Sequence, residues 1–184
     1  MITAGIDLSI NGTGIAVSNG NYYFQTPLKK LPQKLNHPNI FADTSIGFSK
    51  KENHKRYYQN ASKIINFLLN NQVTKIGIEN YAYGYGHESP GLVFDIAEFT
   101  GTVKCLLVHN NIEIIRFAPT EIKKAFTSSG NASKVIMVEK YFKLNLESPL
   151  NHIINDLKIN KYSNPINDLV DAFAILQMIV WYSN

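Results

Sequence analysis

Cysteine is almost missing from this chain: Cys105 is the one cysteine in 184 residues, so an internal disulfide and a paired-thiol redox motif are both excluded. Set in an apolar helical pattern, Cys105 reads as a small buried residue. The five histidines, at 37, 54, 87, 109 and 152, show no zinc-ligand spacing. No serine stands in a nucleophile-elbow sequence, and Cys105 has no activating partner, which argues against covalent hydrolase chemistry. A phosphate-cradling P-loop is missing as well. The apolar stretch 172–182 is too short to span a bilayer. The N-terminus lacks the basic region and cleavage site of a secretory signal. The expectation is a cytoplasmic protein in a reducing compartment, with no membrane partner. No repeat, linker or low-complexity tract interrupts the sequence, and residues 1–184 are expected to form a single domain.

Charge is sparse too. Asp and Glu number 14 against 18 Lys and Arg, a net charge of +4 with a pI near 9.0. That balance suits a polyanionic partner. With acids so few, those set inside apolar segments stand out. Asp7 lies within Ile2-Thr3-Ala4-Gly5-Ile6-Asp7-Leu8-Ser9-Ile10, Glu79 closes Thr74-Lys75-Ile76-Gly77-Ile78-Glu79, and Asp168 and Asp171 open the helix-like stretch 167–182. Such carboxylates are costly unless paired, hydrogen-bonded or bound to a cation.

The runs around these acids define an order of elements. Strands are expected at 3–9, 14–18 and 22–25, the last two joined by the hairpin signal Asn19-Gly20. Residues 26–51 hold Pro27, Pro32 and Pro38 without a clear period and read as an irregular excursion. A helix at 54–70 carries the stripe Tyr57, Ala61, Ile64, Ile65 and Leu68. A strand at 74–79, a Gly/Tyr-rich loop at 81–88, a helix at 89–109 and a strand at 112–117 follow. Helices are then expected at 120–126 and 133–144, with a helical turn or more near 150–157. The last helix starts at Asn164-Pro165, read as N-cap and first helical residue. This order predicts an α/β fold: a mixed five-stranded sheet, three antiparallel strands then two parallel, flanked by helices.

On the last helix, Asp168, Asp171, Ala172, Ile175 and Ile179 share one face. The acids continue the apolar stripe instead of opposing it, so this helix should pack on the sheet and deliver both acids to its end. An acid-rich first turn favoured by the helix dipole is the plainer alternative. Acids from three distant segments meeting at one sheet edge would make an oxygen-lined site for hard cations. Two such cations a few ångströms apart are a common means of phosphodiester hydrolysis.

These pieces resemble the RuvC-type Holliday junction resolvases of the RNase H-like superfamily. The resemblance rests on Gly5-Ile6-Asp7-Leu8-Ser9 with Gly12-Thr13-Gly14, on Ile78-Glu79, on Ser129-Gly130-Asn131-Ala132-Ser133-Lys134, and on Asp168-Leu169-Val170-Asp171-Ala172-Phe173-Ala174-Ile175, and it spans nearly the whole chain. It implies an RNase H-like fold and an endodeoxyribonuclease with two Mg²⁺ per active site, Mn²⁺ being able to substitute. It also implies a homodimer acting on branched DNA, four-way junctions above all. Asp7, Glu79, Asp168 and Asp171 would be the metal ligands, and Lys134 a catalytic group facing the scissile phosphate. The resemblance extends to phage and viral members, an origin that suits the many asparagines, lysines and isoleucines of an AT-rich coding bias. One departure is Ala82, where the family commonly carries an aromatic wedge; the flanking Tyr81 and Tyr83 are expected to stack on opened bases instead.

Two basic groups are candidates for phosphate contact. The first comprises Lys29, Lys30, Lys34, Lys50, Lys51, Lys55 and Arg56, and its plainer reading is a solvated surface. The second comprises Lys123, Lys124, Lys134, Lys140 and Lys143 and would position duplex arms without reading bases. Other functions stay open on the residues alone: a nuclease for other branched DNA or RNA/DNA hybrids, or a DNA-binding module without catalysis. An actin-like ATPase shares the strand order but needs two lobes around a nucleotide, which this length does not supply.

Overall fold

The computed structural model describes residues 1–10, 12–27, 37–44, 52–80 and 90–182, the side chains of 90 and 92 excepted. Six strands form one mixed sheet in the order β4-β3-β2-β1-β5-β6. Strand β1 (Ile2–Asp7) runs antiparallel to β2 (Gly14–Val17), which runs antiparallel to β3 (Tyr22–Thr26). On its other side β1 pairs in parallel with β5 (Val73–Glu79), and β5 with β6 (Glu113–Phe117). The sixth strand, β4 (Ile40–Thr44), pairs in parallel with β3 and corrects the five-strand expectation. It lies inside the proline-marked excursion. At five residues on a sheet edge, with Ile40 buried and Phe41 half-exposed, it shows little of the alternation that marks a strand.

Helices α1 (Asn53–Asn70) and α2 (Pro90–His109) cover one face of the sheet, packing Tyr57, Ala61, Ile64, Leu68, Phe99, Val103 and Leu107 on Ala4, Ile6, Ile76 and Ile78. The opposite face takes α3 (Pro119–Thr127), α4 (Lys134–Leu144), α5 (Leu150–Leu157) and α6 (Ile166–Tyr182). The final helix starts one residue later than expected, with the Pro165 carbonyl accepting from the Leu169 N–H at 3.0 Å. Each of its fully buried large side chains contributes roughly 1.5–3 kcal/mol, and Leu169, Val170, Ile175 and Ile179 are all 1% exposed or less. Cys105 is exposed on α2, against the buried reading, because that stretch of α2 turns an apolar face to solvent. Among the described residues, no helix is long and apolar enough to cross a membrane.

Glycine fixes how closely α6 approaches the sheet. A Cβ at Gly5 would stand 2.0 Å from the Ala172 carbonyl oxygen, and one at Gly14 would stand 2.5 Å from that of Asp168. Only residues without a side chain admit the helix backbone there. The close approach brings the first turns of α6 to the end of β1.

Candidate active site

Asp7 and Glu79 are the last residues of neighbouring parallel strands, in a register that pairs Ile6 with Ile78. Just beyond Glu79 the chain is held by the Asn80 N–H donating to the Phe117 carbonyl at 2.8 Å. Asp7 faces Gly14 across the antiparallel pair, and Gly14 touches the α6 backbone at Asp168. After β1, Thr13 ties the turn: its hydroxyl donates to the Ser9 carbonyl at 2.7 Å and accepts from the Ser9 N–H at 3.2 Å. Asp168 and Asp171 then enter from the first turns of α6. Three distant segments thus bring four carboxylates to one end of the sheet.

The electrostatics register that crowding. Burial pushes Asp7 well above the usual carboxylate range, and the charges of Asp171, Asp168 and Glu79 push it further. Asp168, 5% exposed, is pushed up to about 7, chiefly by burial. Burial is also the leading cause of the upward shifts at Glu79 and Asp171. Glu79 keeps a solvent-exposed face, so the cluster opens on that side.

Lys134 opposes all four shifts. It is the first residue of α4, behind the N-cap Ser133, whose hydroxyl accepts from the Ile136 N–H at 3.4 Å. Its ammonium lies 3.8 Å from Asp171 Oδ2 and stays largely exposed. From α3, Lys123 lowers the pKa of Glu79 and Asp171 in the same way. The sequence grouped Lys123 with other lysines; the fold singles it out.

Other expected contacts fall elsewhere. Lys124 is exposed on α3, and its charge is not among those acting on the acids. Lys55 lies on α1, across the sheet from α6, and pairs with Glu52 at 3.7 Å. Arg56 is corrected: only 2% exposed, its guanidinium sits 4.9 Å from the centre of the Tyr57 ring, so it is packed inside and not offered to phosphate. Lys51, Tyr81 and Tyr83 lie outside the described residues, as do Lys29, Lys30, Lys34 and Lys50.

Among the described residues, no three carboxylates converge as a ready-made coordination sphere. The donor set nevertheless fits a hard cation: it is all oxygen, and the buried Asp168 Oδ2 has no hydrogen-bond partner. A cation there would relieve both the orphaned oxygen and the mutual repulsion.

The model of the family described as crossover junction endodeoxyribonuclease RuvC matches residues 36–175. Comparison with curated proteins gives no match. Among solved structures, the chain is similar to Thermus thermophilus RuvC in complex with a Holliday junction substrate, with a TM-score of 0.61 and 16% identity over 100% of this chain and 94% of that one. It is similar to the yeast mitochondrial Holliday junction resolvase Ydc2, with a TM-score of 0.57 and 16% identity over 94% of this chain and 75% of that one. It is also similar to the fowlpox virus resolvase in its complex with Holliday junction DNA, with a TM-score of 0.51 and 12% identity over 100% of both chains. At these identities the likeness carries the fold, which is RNase H-like as expected.

Proposed function

The chain belongs to the crossover junction endodeoxyribonuclease RuvC family, and from that premise we propose that it resolves four-way DNA junctions by metal-dependent phosphodiester hydrolysis. The observation that carries the site assignment is the meeting of Asp7, Glu79, Asp168 and Asp171 at one sheet end, each with its proton affinity raised by burial. A cluster of buried negative charge gives a DNA binder nothing, whereas it is what a pair of hard cations requires.

The four carboxylates would hold two Mg²⁺ ions, with Mn²⁺ able to substitute; when bound, these supply charge stabilisation and an activated water for attack at phosphorus. Lys134 and Lys123 place fixed positive charge beside the same acids. An ammonium there stabilises the charge that grows on the phosphoryl oxygens as the bond to the leaving oxygen breaks. Lys124, exposed on α3, is assigned a phosphate contact on a duplex arm.

Junction cleavage on two strands calls for two sites, and α2 supports assembly as a homodimer. Phe94 and Val108 are 68% and 66% exposed, and Ala97, Gly101 and Cys105 are exposed between them at helical spacing. A self-complementary apolar stripe of this kind suits a two-fold interface. The test of the function is incubation of purified protein with a synthetic four-way junction, a linear duplex and an RNA/DNA hybrid, with and without Mg²⁺. Metal-dependent paired nicks confined to the junction are expected. Equal cleavage of the hybrid would move the assignment to a hybrid nuclease.

A further inference from the structure

At the end of the sheet remote from the acids, the surface opens into a groove of about 710 Å³. Strand β2 leaves the acid end at Gly14, which pairs with Asp7, and brings the β2–β3 turn to the groove at Ser18 and Gly20. The C-terminal end of α4, the segment between α4 and α5, and α6 form the other walls. Leu144, Leu146, Leu176 and Val180 give these walls an apolar character, and Leu144 and Leu146 are 57% and 81% exposed. Trp181, half-exposed, lies one turn beyond Gln177 on the same face of α6 and extends the apolar rim. Large apolar side chains grouped around a groove mark an interaction surface.

The floor specifies the chemistry of the occupant. Tyr22, Tyr141 and Ser148 are buried and line the groove. Their hydroxyls form a chain, with Tyr22 and Tyr141 2.9 Å apart and Tyr141 and Ser148 2.6 Å apart. Ser148 Oγ also accepts from the Leu150 N–H at 3.1 Å. Each hydroxyl owns one proton, and the two links between hydroxyls use two of the three. Whichever way the chain is oriented, one O–H remains, and no acceptor among the described residues takes it. A buried donor of this kind calls for an acceptor from outside. On the rim, Lys143 adds an ammonium that forms no ion pair among the described residues. Glu147 reaches the same rim but is exposed to solvent.

We propose that this groove captures the C-terminal end of a partner protein, seating its last apolar side chains between α4 and α6 and its terminal carboxylate against the spare hydroxyl and Lys143. A chain end joins a negatively charged acceptor to an apolar side chain on a single residue. The groove is open, so the carboxylate keeps part of its hydration and avoids the cost of full burial. The apolar stripe of α2 lies across the sheet, so a dimer formed there leaves the groove uncovered. The acids lie at the other sheet end, so DNA and this partner can be held together, and the contact serves recruitment.

The experiment measures binding of the purified full chain to an array of labelled octapeptides that end in every pair of apolar residues. Each is made as free acid and as amide, beside controls ending in two serines, and decanoate is titrated separately. For at least one apolar pair the free acid should bind about tenfold more tightly than the amide, the worth of a charge-assisted hydrogen bond. Lys143→Glu should erase that advantage, as should Tyr22→Phe combined with Ser148→Ala, whereas Lys55→Glu across the sheet should leave it intact. Leu146→Asp and Gln177→Trp should weaken acid and amide alike, and circular dichroism checks each fold. Binding no better than that of the serine controls, or equal binding of acid and amide, overturns the proposal. Decanoate binding as tightly as the best peptide overturns it in favour of an amphiphile site. A wild-type dimer that Leu146→Asp turns into monomers in sedimentation overturns it in favour of a second copy of this chain.

Discussion

Replacing Asp168 by asparagine should stabilise the protein when metal is withheld. In the folded chain Asp168 is pushed from its ordinary 3.8 up to about 7, mainly because burial disfavours its charge, with Asp171 adding repulsion and Lys134 opposing. A folded pKa above the unfolded one means that the folded state binds the proton more tightly. The stabilisation from that proton is therefore complete below about 4 and is lost as pH rises through about 7. A rise of this size, at about 1.4 kcal/mol per tenfold change in proton affinity, is worth about 4 kcal/mol. For a chain of 184 residues this is a large share of the roughly 5–15 kcal/mol that holds a domain together, and it corresponds to roughly 8–16 °C in Tm. Asparagine has the shape of the protonated acid and carries no charge to bury. Thermal unfolding in a chelator should thus give wild type a Tm that falls between pH 5 and pH 8. The Asp168→Asn protein should match wild type at pH 4 and exceed it clearly at pH 8. Added Mg²⁺ should raise the wild-type Tm at pH 8 and close most of the gap, since a cation replaces the proton. A metal-free wild type that is as stable at pH 8 as at pH 5, or an asparagine variant no more stable than it, would refute the reasoning.

Asp7→Asn and Glu79→Gln should each abolish cleavage while junction affinity stays equal or tightens, because a ligand is lost along with repulsion of phosphate; gel-shift and cleavage assays on one preparation check this. Lys134→Ala should lower the single-turnover rate about 10²-fold, the scale for losing one fixed charge-stabilising group, with little loss of binding. Since Lys134 lowers the pKa of all four acids, its removal should also move the acidic limb of the pH–rate profile upward, and an unmoved limb would return it to plain surface charge. Cleavage should require Mg²⁺ or Mn²⁺, while Ca²⁺ supports binding without turnover; full activity in a strong chelator would end the metal assignment. Phe94→Asp on the exposed face of α2 should yield monomers in sedimentation at micromolar concentration, and a variant that stays dimeric would place the interface elsewhere.

The sequence disclosed those parts of the fold in which burial has a period. The stripe of α1 and the buried runs of β1 and β5 are read directly, because side chains on one face must be apolar in a sequence order set by helix or strand geometry. The acids are legible for the converse reason: Asp7, Asp168 and Asp171 put charge into runs that are otherwise mostly apolar. What stayed hidden depends on distances between segments far apart in the chain. Edge strand β4 takes its definition from pairing with β3. Arg56 looked like one more exposed cation and is packed against the Tyr57 ring. Cys105 looked buried because its helix is apolar nearly all round, and only the fold determines which side faces solvent.

The same distinction separates the two kinds of residue that build the site. Acids announce themselves by their cost, whereas the glycines that bring them together are silent in any pattern of polarity. Gly5 and Gly14 let the α6 backbone lie where a methyl group would collide with the Ala172 and Asp168 carbonyl oxygens. Enlarging either forces α6 away from β1 and carries Asp168 and Asp171 with it, although neither glycine touches a substrate. A displacement near 1 Å is enough to cost a preorganised site much of its rate. A motif of glycines flanking an aspartate is therefore informative for the spacing it enforces on a helix more than 150 positions later in the chain, and the aspartate alone would signal far less.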